Sequence, residues 1–328
     1  MSIGMNDKEL KIAVVGAGGM GTVHISNYAH IPGCKVVAVC DAAETARLKA
    51  GEIGAALYND LDEMPAREEI DVVDVCTPTW LHKKHVMTAL EAGRHVICEK
   101  PAALCKRDAA EMFGLAREKG LQLHIAHVVQ YAPETKVLRE LVESGEYGRV
   151  LDGEFLRLSG APRWARDGWL FDKDRSGLLP FDLHIHDLDL IVSLFGEPET
   201  VGWTSCGNKD AEYKEHYRFS YGYKDMNIVA EAAWYNADFP FTATWRVYFE
   251  KAVVVNNGKT VTAYSSGHEP RVFDTEEKIK IPTGINVPPT GIFLAELSDF
   301  VGKIRRGGSG DNRERCILSV LGILEKIQ

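Results

Sequence analysis

Short runs of apolar, β-branched residues recur through the first third of the chain. One spans 10–15 (Leu-Lys-Ile-Ala-Val-Val) and leads directly into glycines; others span 35–40, 71–76, 95–98 and 121–126. The stretches between them, about 20–31, 42–51, 80–92 and 105–118, read as helices. Buried strands alternating with helices predict βαβ units and a doubly wound parallel sheet, an α/β domain over 1–127.

Past residue 127 the pattern changes. A helix is predicted over 134–144, ending at Gly145, followed by longer strands that alternate apolar and polar positions: about 150–159, 199–207, 214–223, 227–235, 242–250 and 252–256. Strands with one wetter face suggest an open antiparallel or mixed sheet. One helix, rich in His and Asp, interrupts them at about 180–195, and the tail is helical at about 290–305 and 312–327. The expected second domain, 128–328, is therefore α+β and serves substrate binding and oligomerisation; its last helix, 312–327, is a candidate for packing back on the first domain.

Composition adds limits. At ~150 residues per domain, 328 residues suit two domains. Hydrophobic residues are 45% and charged residues 26%, which excludes wholesale disorder and disulfide scaffolds. A formal net charge of −9 argues against nucleic acid and other polyanionic partners. Residues 1–9 show neither a basic segment nor an apolar one, and nowhere are there about 18 uninterrupted apolar residues, so neither secretion nor membrane insertion is expected. Seven cysteines, an odd number with no C-x-x-C pair, read as reduced thiols of a cytoplasmic protein.

The glycines after the first strand carry the first chemical signal. Gly16-Ala17-Gly18-Gly19-Met20-Gly21 matches G-x-G-x-x-G between a strand and a helix. The first glycine permits the tight turn, the second lets a pyrophosphate approach the backbone, and the third lets helix and strand pack closely. The helix N-terminus supplies N–H donors and partial positive charge. Asp41 ends the second run, where a carboxylate can accept both ribose hydroxyls and repels a 2′-phosphate; Ala42 and Ala43 follow rather than Arg or Ser. NAD is thus favoured over NADP in a Rossmann-type domain. The third and fourth strands end in Cys76-Thr77-Pro78-Thr79-Trp80-Leu81-His82 and Cys98-Glu99-Lys100-Pro101, at the sheet edge where open α/β folds bind ligands.

The segment 93–101, Gly-Arg-His-Val-Ile-Cys-Glu-Lys-Pro, closely resembles the hallmark of the glucose–fructose oxidoreductase/inositol dehydrogenase/MocA family. The resemblance extends through the glycine loop, Thr77-Pro78 with His82, Tyr131-x-Pro133, and Asp182-Leu183-His184-Ile185-His186-Asp187-Leu188-Asp189. It implies a catalytic set of Lys100, Asp182 and His186. It implies cofactor contacts from Gly16, Gly18, Gly19, Met20, Gly21, Asp41, Thr77, Pro78, His82, Glu99 and Lys100. The residue types agree. Asp182 and His186, four apart, share a helix face. An imidazole of ordinary pKa about 6.5 suits proton transfer at neutral pH. Two positions depart from the family pattern: His184 replaces a glycine and Gln130 an arginine. His184-x-His186 beside Asp187 and Asp189 superficially suggests a metal, but residues two apart on a helix point in different directions. No metal is expected, and His184 is assigned a polar contact at the edge of the site.

The expected reaction is hydride exchange between nicotinamide and a carbinol or carbonyl carbon of a sugar, sugar derivative or inositol. His186 would take the hydroxyl proton, Lys100 would stabilise alkoxide character, and Asp182 would position His186 or a hydroxyl. Which of Lys100 and His186 accepts the proton stays open. The segment 161–175 offers Trp164 and Trp169 for stacking on a pyranose and Arg163 and Arg166 for a carboxylate. His127, Gln130 and Tyr131 are further substrate candidates. Two other readings stand beside this one: a glycosidase-type enzyme with transient oxidation, and a dinucleotide-binding regulator. The open sheet predicts a homodimer or homotetramer.

Overall fold

The computed structural model describes residues 9–43, 45–64, 69–308 and 313–327. The chain divides into two units: Met1–Tyr131 with Glu277–Glu314, and Ala132–Glu276 with Arg315–Gln328.

Unit one holds strands β1 (Leu10–Val15), β2 (Cys34–Cys40), β3 (Ala56–Tyr58), β4 (Val72–Val75), β5 (His95–Glu99) and β6 (Leu123–Ala126). They form one sheet in the order β3-β2-β1-β4-β5-β6, parallel at every pairing. Helices α1 (Gly19–Tyr28), α2 (Thr45–Ile53), α3 (His82–Glu91) and α4 (Lys106–Glu118) make the crossovers. Val72, Val73 and Val75 are wholly buried, as strands covered on both faces require. The strand order reverses between β1 and β4. The loops after these two strands therefore flank the switch point, the place where such sheets bind ligands. Cys76 N–H reaches Val15 O across it at 2.7 Å.

Unit two begins with α5 (Pro133–Ser144), started by Pro133 in its first turn and closed by Gly145 at φ 64°. Its sheet contains β7 (Val150–Gly160), β8 (Thr200–Cys206), β9 (His216–Tyr223), β10 (Met226–Tyr235), β11 (Thr242–Phe249), β12 (Val253–Asn256), β13 (Val261–Tyr264) and β14 (Arg271–Phe273). The order is β14-β13-β12-β11-β7-β10-β9-β8. Only β7 and β10 pair in parallel, so the sheet is mixed. On β9, Tyr217, Phe219 and Tyr221 are buried while Arg218 and Ser220 are exposed, the period of two that a sheet with one covered face needs. The covering helix is α6 (Ile185–Phe195). Pro180–His184 leads into it as a π-helical turn, so the predicted 180–195 helix does not begin as an α-helix.

Two helices close the chain, α7 (Ile292–Arg306) and α8 (Glu314–Ile327). The sequence reading ends the first domain at 127 and offers the last helix, 312–327, as a candidate for packing back on it. Unit one instead recovers Glu277–Glu314, with α7, and α8 belongs to unit two. The reason is apolar: Leu297, Phe300, Val301 and Ile304 of α7 join Ile25, Tyr28 and Val36 in one core. Glu277 anchors the start of α7 by accepting from Thr290 Oγ1 at 2.7 Å and from the Gly291 N–H.

Candidate active site

The glycine loop has the stereochemistry its motif demands. Gly16 sits at φ 91°, and a Cβ there would lie 2.8 Å from the Cys76 backbone. A Cβ on Gly21 would lie only 1.8 Å from Gly16 O, whereas one on Gly18 would meet nothing within 4 Å. Two glycines thus serve the fold, and the third faces open space at the start of α1. Asp41, at the end of β2, accepts from the Ala17 N–H at 2.6 Å through Oδ2 and from the Ala43 N–H at 2.7 Å through Oδ1. A carboxylate oxygen has two acceptor sites, so each keeps one for a ribose hydroxyl. The loop, the helix start and the carboxylate together fit a dinucleotide. Lys49, absent from the sequence reading, donates to Ala17 O at 2.8 Å and to Thr22 Oγ1, placing a cation on the loop. Met20 lies half-buried on α1.

The ends of β4 and β5 are tied together by His82. Its Nδ1 lies 2.8 Å from Pro101 O and its Nε2 2.7 Å from Thr77 O. Burial pulls its pKa down, against two carbonyl bonds that favour the charged ring. His82 is thus a brace between the loops that carry Thr77-Pro78 and Lys100, with both nitrogens committed to the fold. Thr77 Oγ1 lies 3.1 Å from His85 Nδ1; burial, then Lys84, brings His85 down to about 4. Glu99 is buried, and its Oε2 accepts the Lys100 N–H at 3.1 Å. Lys100 itself is half-buried. Of the later candidates, His127 is buried, Gln130 donates its N–H to His127 O at 3.0 Å, and Tyr131 donates its hydroxyl to Asp299 on α7 at 2.7 Å.

In unit two, the run 181–190 is buried except at two positions, Asp182 and His186. Both keep partial access, Asp182 in the π-helical turn and His186 in the first turn of α6. The approach to them is sharply turned: Gly177 lies at φ 73°, Leu178 at φ 62°, and a Cβ on Gly177 would lie 2.5 Å from the Phe181 ring.

His184 requires a correction. The sequence reading puts it at the site edge, but it is wholly buried, stacked on Phe219 at 3.7 Å, with Nε2 2.6 Å from the Tyr221 hydroxyl. Burial lowers its pKa to about 3, so it is a neutral core residue. Its phase on the helix turns it opposite to His186 and into the sheet. Asp187 faces inward too and takes a bidentate bond from Arg157 at 2.9 and 2.8 Å. The His-Asp run therefore does not converge as metal ligands. Among the described residues the one grouping of ligand atoms within 4.8 Å is His24, Asp74 and Cys76 in unit one.

The segment 161–175 is partly exposed. Trp164 is 65% exposed and Trp169 half-buried. Arg163 donates to Asn236 Oδ1 at 2.9 Å. Phe171 stacks on Tyr213 and meets Trp234 edge-on, which fixes the segment's end to the sheet. The side chain of Arg166 lies outside the described set.

These features define a dinucleotide-binding α/β unit followed by an α+β unit with an open mixed sheet. Residues 10–127 match the family model "Oxidoreductase family, NAD-binding Rossmann fold", and residues 135–255 match "GFO/IDH/MocA C-terminal domain". The chain belongs to the Gfo/Idh/MocA family, and unit one carries that family's NAD-binding Rossmann fold. It is similar to D-glucoside 3-dehydrogenase of Escherichia coli strain K12, with 36% identity over 60% of this chain and 57% of that one. It is also similar to 2,7-anhydro-N-acetylneuraminate hydratase of Mediterraneibacter gnavus, with 32% identity over 60% of this chain and 52% of that one. The matched region spans just over half the length of these curated relatives. Among solved structures, levoglucosan dehydrogenase in complex with NADH and levoglucosan superposes with a TM-score of 0.84 at 21% identity, covering 97% of this chain and 96% of that one. That likeness is one of fold.

Proposed function

We propose that the protein is an NAD-dependent dehydrogenase that oxidises a secondary hydroxyl of a sugar or sugar derivative, or reduces the matching ketone. The observation that carries this is the strand-end arrangement of unit one. The glycine loop, Asp41, Thr77-Pro78 and Lys100 all stand at the carboxyl edge of one parallel sheet, with two glycines admitting no side chain. The names of the sugar-acting relatives support the substrate class.

Gly18, the start of α1 and Asp41 would hold the dinucleotide, and Asp41 selects a ribose with a free 2′-hydroxyl. When bound, NAD would supply the acceptor for the hydride of the carbinol carbon. Lys100 donates a hydrogen bond to the substrate oxygen and stabilises its alkoxide character. His186 takes the hydroxyl proton at its imidazole, and Asp182 orients that ring or a neighbouring hydroxyl. Trp164 and Trp169 are the substrate-stacking candidates; His127 and Gln130 stay candidates for hydroxyl contacts.

The test is a panel of monosaccharides, glycosides, inositols and uronates read by NADH absorbance, followed by single-turnover hydride transfer. Lys100→Ala and His186→Ala should each lose about 10²–10⁴ in rate; near-full rate in either removes that residue from the mechanism. NADP binding equal to NAD would overturn the role of Asp41. The hydratase relative favours a second reading, in which the same residues serve an oxidation that is later reversed. Product formation without NADH accumulation would identify it.

Two broader properties belong to the same proposal. No helix among the described residues is long and apolar enough to cross a membrane, and all seven cysteines carry thiols, which supports a cytoplasmic enzyme. The outer face of the sheet supports a homodimer or homotetramer. Tyr248 pairs with Val253 and Val253 with Tyr264, giving one apolar stripe in which Tyr248 is 45% and Tyr264 51% exposed. Sedimentation should show a dimer or larger, and Tyr248→Glu with Tyr264→Glu should dissociate it; a wild-type monomer would refute the reading.

A further inference from the structure

Beneath the strand ends of unit one lies a set of charged groups that the dehydrogenase reading leaves unused. His24 on α1 is wholly buried, with Nδ1 2.8 Å from Asp74 Oδ2 on β4 and Nε2 3.0 Å from Glu99 Oε1 at the end of β5. An imidazole that faces a carboxylate oxygen at each nitrogen donates from both, which makes it an imidazolium. Burial works against that charge, but Asp74 and the hydrogen bonds outweigh it and hold His24 well above its ordinary pKa. Tyr28 donates its hydroxyl to the same Asp74 oxygen at 2.9 Å. The other oxygen of Glu99 accepts the Lys100 N–H.

Asp74 interrupts Val72, Val73 and Val75, in a strand buried on both faces. A charged trio at such a place is poor value for stability, since well-packed apolar residues of like volume do as well or better. Its geometry leads somewhere specific: from α1 and β4, through one carboxylate, to the backbone of a single lysine.

We infer that His24 and Asp74 are positioning residues for Lys100, acting through Glu99. The imidazolium fixes one oxygen of Glu99, and the second oxygen fixes the amide from which the Lys100 side chain springs. The trio of two carboxylates and one imidazolium carries one net negative charge beside the ammonium. Its thiol, phenol and Glu296 neighbours add none. Burial keeps the Cys76 and Cys98 thiols and the Tyr28 phenol protonated. Glu296, facing the trio from α7, is held neutral by burial and by Glu99. At His82 burial, which disfavours charge, opposes two carbonyl contacts, which favour it, and these bonds are the same in every variant below. Arg313 acts on Glu296 and is the remaining cation in this set. Losing the imidazolium adds a negative charge near Lys100 and holds its proton more tightly; losing the Glu99 charge does the reverse.

The inference uses the proposed role of Lys100, but its test needs no substrate. In the full-length protein with NAD, lysines are trace-acetylated across a pH series and each peptide is quantified by mass spectrometry. In His24→Gln the Lys100 midpoint should rise by on the order of one pH unit, making labelling below the midpoint about tenfold slower. Exposed Lys173 should not move. His24→Gln with Asp74→Asn restores the net charge and should return the midpoint toward the wild type. Glu99→Gln, which keeps an acceptor for the amide, should lower it and serves if His24→Gln does not fold. An unmoved Lys100 midpoint in the folded variants overturns the inference. Full activity in Lys100→Met would instead overturn the role of Lys100 in catalysis, while the labelling result still judges the trio.

Discussion

Gly18 and Gly21 stand three residues apart and are glycine for different reasons. At Gly21 an added Cβ meets a backbone oxygen at 1.8 Å, so Gly21→Ala must move strand or helix. It should cost on the order of 1–3 kcal/mol or more in urea unfolding and lose NAD binding with it. At Gly18 the same methyl meets nothing within 4 Å. Gly18→Ala should unfold like the wild type yet bind NAD more weakly in a fluorescence titration. Equal effects of the two on stability would contradict this division. Glu296 makes a second prediction. Both its oxygens are buried without a hydrogen-bond partner; burial first, then Glu99, drives its pKa well above 4.5. The folded state therefore binds a proton that the unfolded state releases above about pH 4.5, and stability falls as pH rises through that window. Glu296→Gln keeps the shape and has no proton to lose. It should be more stable than the wild type at pH 8 by at least about 1 kcal/mol, with the gap closing toward pH 5. A gap that does not depend on pH would show that Glu296 is ionised in the folded protein.

At the scale of elements, one buried ion pair ties α6, which carries His186, to β7. Arg157 of β7 and Asp187 of α6 are 9% and 5% exposed at their side chains and bond bidentately. Truncating one partner strands the other charge in the interior, so Asp187→Ala should cost about 3–5 kcal/mol in chemical denaturation. Replacing both residues by apolar ones should recover much of that loss, which distinguishes a buried-charge penalty from lost packing. The same helix shows how far sequence reading reaches. Periodicity located it, and Asp182 and His186 are the two positions of 181–190 that keep partial access. Spacing did not say which face met the sheet, and so His184 was given a site contact when it stacks on Phe219 in the core. Strands β3, β13 and β14, of three or four residues, are too short to show a period and were missed. The trio under Lys100 left one visible trace, Asp74 set in a run of valines. Glu99 stood out only as a cofactor candidate of the strand-end motif, and His24 gave no signal, because it comes from a distant element.

At the scale of the whole chain, the glycine loop, Asp41 and the strand ends were legible because their signals are local. The return of α7 to unit one was not, because its amphipathic face fits either domain equally well on paper. That return has a measurable consequence. Leu297, Phe300, Val301 and Ile304 are buried in the unit-one core, and at about 1.5–3 kcal/mol each they supply roughly 6–12 kcal/mol. The whole stability of an ordinary domain is about 5–15 kcal/mol. A fragment of residues 1–131 holds every strand of the parallel sheet and the entire glycine loop, yet it should lack cooperative unfolding and measurable NAD affinity. Joining 277–308 to that fragment through a flexible Gly/Ser linker should restore both, as read by urea-induced loss of helical circular dichroism and by NAD titration. If 1–131 alone unfolds cooperatively and binds NAD as the full chain does, α7 is an accessory to unit one rather than part of its core.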